Sequence, residues 1–343
     1  MSARACALLA SVFVFAADPV PVSAQDPTAA SRAIEAMVAS GTGPIDINVA
    51  QDGSGHFRTV QEAVMAVPAG TAARPVVVHI KPGTYRELVY VQREKRFFRF
   101  VGDDPLTTVI TFDLHANLTG PDGKPLGTWR TPTTIIDADD FVAENVTFEN
   151  GAGPKGQALA IRVDGDRVVF RNCRFLGWQD TVFLNRGRQY FEDCYINGHV
   201  DFVFGGATAY FERCHLHVRD SGYITAASTP VDVRYGFVFA RGRITGEPDA
   251  KTYLGRPWRD HAATTFLETE MSEAVRPAGW HNWNRAEREK TARYAEYASR
   301  GPGAGVDGRV PWAAVLTRDQ AAALTAREVL RGLDGWEPPV TRK

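Results

Sequence analysis

Little in this chain of 343 residues suits it to hold a metal. Its eight histidines and four cysteines are scattered, with no HExxH pair and no CxxC, so ligand spacing supplies no metal site. Net charge is also scarce. Thirty-nine basic residues balance 40 acidic ones, leaving −1, and no bulk field directs the chain to nucleic acid or a membrane. Long amphipathic helical periods are missing from the middle two-thirds, which argues against a helix-rich doubly wound enzyme. A long apolar run occurs once, at Ala5–Ala17, between Arg4 and the small residues Val22-Ser23-Ala24. That is the layout of an export signal, residues 1–24, cleaved after Ala24, and it implies a secreted or periplasmic protein. Cleavage would remove Arg4 and Asp18, one charge of each sign, and Cys6, leaving Cys173, Cys194 and Cys214. Three cysteines in an exported chain suggest one disulfide and one buried thiol.

What is present is a soluble, core-forming composition, 44% hydrophobic and 23% charged. Residues 25–45 are weakly patterned and read as a mobile leader. Ile45–Val49 is the first strand, and Thr59-Val60-Gln61-Glu62 is a capping box opening a short helix through Val67. Val76–Ile80 is an apolar, β-branched strand. Further short strands follow at Tyr85–Tyr90, Phe97–Val101, Val109–Phe112, Thr134–Ile136, Phe141–Phe148, Arg167–Phe175, Gln189–Ile196, Thr208–Val218 and Tyr235–Ile244, parted by Gly, Asp and Asn turns. Aligning Val146, Cys173, Cys194 and Cys214 gives spacings of 27, 21 and 20 residues, with similar text around each. A repeat of that length without intervening helices predicts an all-β parallel β-helix. An antiparallel sandwich offers no reason for a rung period. On adjacent rungs Cys194 could pair with Cys214, or Cys173 with Cys194, and spacing does not choose between them. Near the end, Thr317–Gln320 is a second capping box, and Thr325–Leu330 continues helically before Gly332. These short helices are expected to cover the coil, with 338–343 a tail.

The same repeat places two aspartates. Asp180 lies seven residues after Cys173, and Asp201 seven after Cys194. Equivalent positions on adjacent rungs sit about 4.8 Å apart along the stack. Two carboxylates about 5–6 Å apart repel by roughly 2–3 kcal/mol at an effective dielectric near 20, about two pKa units of pressure for one to keep its proton. One neutral acid beside one anion is the equipment of a nucleophile with a general acid. A single Asp would ordinarily cap a turn; a matched pair set among large apolar residues is harder to explain so. Gln157 and Gln179 are uncharged donors suited to an oxyanion, and Arg256 could keep one aspartate ionised. Trp178, Phe183, Phe204 and Trp258 crowd the same region, where aromatic faces suit sugar rings.

At these residues the chain resembles carbohydrate esterase family 8, the pectin methylesterases. The likeness rests on Gly83-Thr84-Tyr85-Arg86-Glu87, Gly156-Gln157-Ala158-Leu159-Ala160, Gly177-Trp178-Gln179-Asp180-Thr181, Asp201-Phe202-Val203-Phe204-Gly205 and Leu254-Gly255-Arg256-Pro257-Trp258, all in the family's order. It covers roughly residues 46–337, which would form one catalytic domain, and it implies that the coil is the right-handed, single-stranded parallel β-helix of the pectin-lyase-like type. The resemblance implies that Asp201 attacks the methyl ester carbonyl of a galacturonate unit, and that Asp180 protonates methanol and then activates water. Gln157 and Gln179 would stabilise the tetrahedral intermediate, and Arg256 would hold the nucleophile charged. Trp178, Phe183, Val200, Phe204, Trp258 and Trp280 would line the sugar cleft, and a disulfide between Cys194 and Cys214 is implied. The small departures, at Trp178 and Phe183, bear on subsite preference rather than the reaction. The stretch ahead of residue 46 is too short for the inhibitory pro-domain of plant members. Methyl-esterified pectin is the expected partner of a monomer without metal, cofactor, nucleic acid or membrane. Two other readings remain: a β-helical glycosidase or lyase, which also uses paired carboxylates, and a non-catalytic polysaccharide-binding coil.

Overall fold

The repeat sets the register. In the computed structural model, which describes residues 27–41 and 43–339, Thr147 pairs in parallel with Arg174, Arg174 with Tyr195, Tyr195 with His215 and His215 with Arg243. Cys173, Cys194 and Cys214 therefore occupy one position on successive rungs. A single rung runs from Val182–Leu184 through Arg188–Glu192 into Tyr195–Gly205, whose second half returns beside Val182 and Phe183 and opens the next rung. Stacked rungs make a three-sided parallel β-helix. One face is an 11-stranded parallel sheet from Ile45–Val49 to Ala314–Val315. The other two faces merge into a 13-stranded sheet because Tyr195–Gly205 and His215–Ala227 cross their shared corner as continuous strands, with register shifts between Gly198 and Val203.

At another corner the strand breaks. Phe141–Phe148, Arg167–Phe175 and Gln189–Ile196 read as single strands in the sequence; each is divided in the fold by one residue at positive φ. These are Asn145 (58°), Asn172 (46°) and Asp193 (54°). Turning between two faces within one residue requires the left-handed region, which Asn and Asp tolerate better than most side chains. Stacking supports the corner: Asn172 Nδ2 donates to Asn145 Oδ1 at 2.8 Å.

Inside, parallel stacking brings like onto like. Phe170, Phe191, Phe211, Phe239 and Phe266 form a ladder with successive ring centroids 4.9, 4.6, 4.2 and 4.6 Å apart. The cysteines stack in the same interior, but Cys173, Cys194 and Cys214 are all free and buried, so the implied Cys194–Cys214 bridge is absent from this structure. Residues translated from rung to rung keep their Cβ atoms about one strand spacing apart. A disulfide draws them to about 3.8 Å, which a uniform stack does not supply. Burial pushes the Cys173 and Cys194 thiols well up and keeps them neutral.

Helices cover one end of the solenoid and part of one face. Pro27–Ser40 is a helix, not the expected mobile leader: Ile34 enters the core, Met37 packs against it, and Arg74 donates to the Val38 and Gly43 carbonyls at 2.8 and 3.0 Å. Alanine-rich text has high helix propensity, and a short apolar stripe suffices to seat it. Val60–Ala66 carries the expected capping box. Arg318–Ala322 and Ala326–Leu330 lay Ala321, Val329 and Leu330 on Val169, Tyr190, Tyr210 and Val238 of the 11-stranded face. The expected 1–24 export signal and the end of the tail, 340–343, lie outside the described residues. Among the described residues no helix is long and apolar enough to cross a membrane.

Candidate active site

Two neighbouring rungs build the centre of the site. Asp180 immediately precedes Thr181 and the strand Val182–Leu184; Asp201 lies within Tyr195–Gly205. Because Val182 pairs with Val203 and Phe183 with Phe204, the two aspartates hold equivalent places on adjacent rungs. Both have a left-handed backbone, φ 65° and 52°, and both are buried, at 8% and 6% exposure. Strained backbone of this kind is held by surrounding structure and concentrates at functional positions. The Asp180 N–H donates to Val200 O at 3.1 Å, tying the rungs together.

The surroundings of the two carboxyls differ. Arg256 meets Asp201 through two parallel bonds, Nε to Oδ1 at 2.9 Å and Nη2 to Oδ2 at 2.7 Å. Burial raises the Asp201 carboxyl, and Arg256 opposes that rise by hydrogen bonding and charge. Asp180 is raised well above the usual carboxylate range, first by burial and then by the negative charge of Asp201, with Arg256 only partly offsetting it. Both carboxyls stand above the ordinary carboxylate range, Asp180 the further, so the pair favours the proton on Asp180 and the charge on Asp201.

Gln157 and Gln179 stack on successive rungs through a parallel bridge, and the Ala158 N–H donates to Gln179 O at 3.1 Å. They flank the aspartates as half-buried amides. Phe183 and Phe204 stack at 4.6 Å, with Trp258 edge-on to Phe204 at 5.8 Å. Val200 is half-buried opposite Tyr223 on the next rung. Trp178 stands beside His199, ring centroids 5.5 Å apart, under the Arg219 guanidinium at 4.2 Å.

Trp280 does not reach the cleft. It is 1% exposed, stacks on Tyr294 at 4.4 Å inside the coil, and donates its indole N–H to the buried Glu296 at 3.1 Å. A ring with no free face cannot carry a sugar, so the expectation for Trp280 is corrected. Trp283, three residues on, faces the site instead, packed against the Phe183–Phe204 cluster.

Sequence reasoning missed other participants. Trp129, in the short 3₁₀ helix Thr128–Arg130, is 48% exposed and lies over Phe183 at 4.9 Å, completing an aromatic wall with Trp258 at 6.2 Å. An aromatic isolated in a polar loop was its only signal. The loop is anchored by Asn150, 3% exposed. Asn150 Nδ2 donates to the carbonyls of Leu114, Thr131 and Leu159 at 2.9, 3.2 and 3.1 Å, and its Oδ1 accepts from Ala152 N–H at 3.0 Å. From the loop, the Ala116 N–H donates to Gln157 O at 2.8 Å, so the aromatic wall and one glutamine share a support.

The family model described as Pectinesterase matches residues 46–333, spanning the coil and all of these side chains. The chain belongs to the pectinesterase family. It is 44% identical over 282 residues to Pectinesterase 31 of Arabidopsis thaliana, covering 80% of this chain and 89% of that one. Several other Arabidopsis relatives, whose names pair pectinesterase with pectinesterase inhibitor, are about twice as long as the part this chain matches. Among solved structures, the pectin methylesterase from carrot superposes with a TM-score of 0.78 at 34% identity, covering 83% of this chain and 93% of that one. A pectin methylesterase mutant in complex with a hexasaccharide superposes at 0.74 with 30% identity, over 86% and 98% of the two chains.

Proposed function

We propose that this chain hydrolyses the methyl esters of galacturonate units in pectin, releasing methanol and pectate, with Asp201 as the nucleophile and Asp180 as the acid and base. The carrying observation is the asymmetry of the pair: Arg256 grips Asp201 bidentately, while Asp180 has burial and a neighbouring negative charge to keep it neutral. An oxygen of the Asp201 carboxylate attacks the ester carbonyl. The oxyanion that forms is met by amide N–H groups of Gln157 and Gln179, uncharged donors that stabilise developing charge without neutralising the nucleophile beforehand. Collapse breaks the bond to methoxide as Asp180 delivers its proton, and methanol leaves an acyl-enzyme on Asp201. Asp180, now a carboxylate, takes a proton from water as the hydroxyl oxygen attacks the same carbonyl. The second collapse returns Asp201 as the carboxylate, Asp180 as the acid, and the galacturonate product.

The aromatic wall of Phe183, Phe204, Trp258 and Trp129 offers apolar faces for the sugar chain, with Trp178 and Val200 flanking the reacting unit. The protein would act outside the cytoplasm as a monomer, without metal or cofactor. Asp201→Asn tests the assignment: methanol release from methylated pectin should vanish while the circular dichroism spectrum and melting temperature are retained. Full activity in that variant would refute the mechanism. Shortening of the polymer without methanol would instead identify a chain-cleaving enzyme.

A further inference from the structure

Arg256 is held by more than its carboxylate. Its guanidinium carbon lies 3.8 Å from the ring centroid of Tyr223 and 3.8 Å from that of Trp283, two aromatic contacts at van der Waals distance on one planar cation. Its backbone is pinned as well. The Arg256 N–H donates to Thr225 O at 2.9 Å, and the preceding Gly255 carbonyl accepts from the His281 N–H at 3.1 Å. The two aromatic residues come from different parts of the chain and share His281 as a support, its ring 5.5 Å from that of Tyr223. Tyr223 stacks on Tyr253 of the next rung at 5.4 Å with ring planes 13° apart. Trp283 has a backbone φ of 60°, rare for a bulky side chain, and its N–H donates to His281 Nδ1 at 3.0 Å. The chain thus adopts a costly local conformation that places an indole against a guanidinium.

We propose that Tyr223 and Trp283 are positioning residues that clamp the Arg256 guanidinium between them, keeping both of its N–H groups aimed at the Asp201 carboxylate. A planar cation confined by flat π faces loses its freedom to rotate about its long side chain, and the rings exclude water that would compete for its N–H groups. The clamp therefore acts through Arg256 on the charge state of the nucleophile. This inference rests on the assignment of Asp201 as nucleophile.

The test is the pH dependence of kcat/KM for methanol release by Trp283→Leu, Trp283→Phe, Tyr223→Leu and Tyr223→Phe, with Asp201→Asn beside them. The acidic limb of that profile reports ionisation of the essential carboxylate in the free enzyme. Loosening Arg256 should move this limb to higher pH by about one unit in each leucine variant, and the phenylalanine variants, which retain a π face, should restore it. Two separate positions keep the test usable if one variant fails to fold. A rise in KM with the acidic limb unmoved in both leucine variants would overturn the clamp and leave these rings as substrate contacts only. A uniform fall in kcat/KM at every pH would overturn it equally, as a general structural loss. If Asp201→Asn still releases methanol, the nucleophile assignment fails and the clamp falls with it; if Asp201→Asn is inactive and the limbs stay in place, only the clamp is lost.

Discussion

Asn150→Leu removes the hub beneath the aromatic wall while keeping the number and branching of side-chain heavy atoms, so its effect should come from lost hydrogen bonds rather than a cavity. Four bonds disappear. The Leu159 carbonyl keeps the Thr133 N–H at 2.9 Å, but the Leu114 and Thr131 carbonyls and the Ala152 N–H lose their Asn150 partner in buried or half-buried surroundings. The Ala152 bond lies outside the 113–133 loop and is not broken when the loop opens, so only the two loop carbonyls count; at about 1 kcal/mol each, opening becomes easier by about 2 kcal/mol. Because every 1.4 kcal/mol is tenfold, backbone amides of the loop, Ala116 and Gly127 among them, should exchange with deuterium on the order of thirtyfold faster. The wall should suffer in step. Trp129 would spend less time over Phe183, and losing an aromatic contact of about 1 kcal/mol should raise KM roughly fivefold. Exchange mass spectrometry and methanol-release kinetics on one preparation read both effects. Unchanged loop exchange with an unchanged KM would refute the assignment of Asn150 as the anchor; faster exchange with KM intact would remove Trp129 from the substrate wall.

Three further outcomes follow from the site. Gln157→Leu and Gln179→Leu should each lower kcat by about 10²–10³-fold with little change in KM, the cost of one oxyanion donor; a variant with undiminished kcat would take that glutamine out of the hole. Asp180 has a folded-state pKa above its unfolded value, so its stabilising contribution is complete below the unfolded pKa and is lost as pH rises through the folded one. Asp180→Asn should therefore be inactive yet melt higher than the parent, with the gap widening from about pH 5 to about pH 8; a gap that narrows over that range would contradict the buried, protonated acid. Trp280→Ala should cost about 3–5 kcal/mol of stability as a core truncation, whereas Trp129→Ala should leave melting nearly unchanged and raise KM; the reverse pattern would restore Trp280 to the cleft.

Some positions were legible in the linear text because the fold is periodic. A repeat visible as Cys173, Cys194 and Cys214 is the register itself, and the sevens that follow the first two are what bring Asp180 and Asp201 together. Capping boxes at Thr59 and Thr317 were readable for a different reason, since each needs only four consecutive residues. Residues whose role depends on a distant partner were not. Trp283 and Trp280 sit three apart in similar text, and only the path of the chain decides that one enters the core and the other faces Arg256. The Pro27–Ser40 helix escaped notice because Ile34 and Met37 form too short an apolar stripe to stand out from alanine-rich surroundings.

The sequence by itself determined the coil, the rung spacing, the carboxylate pair and the arginine beside it, because a solenoid turns periodicity in one dimension into adjacency in three. Tertiary structure alone decided where each rung bends, whether stacked thiols join, which tryptophan reaches the cleft, and what holds Arg256 flat. Those depend on single left-handed residues, on a difference of about one ångström in Cβ separation, and on contacts between segments far apart in the chain. Such quantities have no period, and so leave no repeat to read.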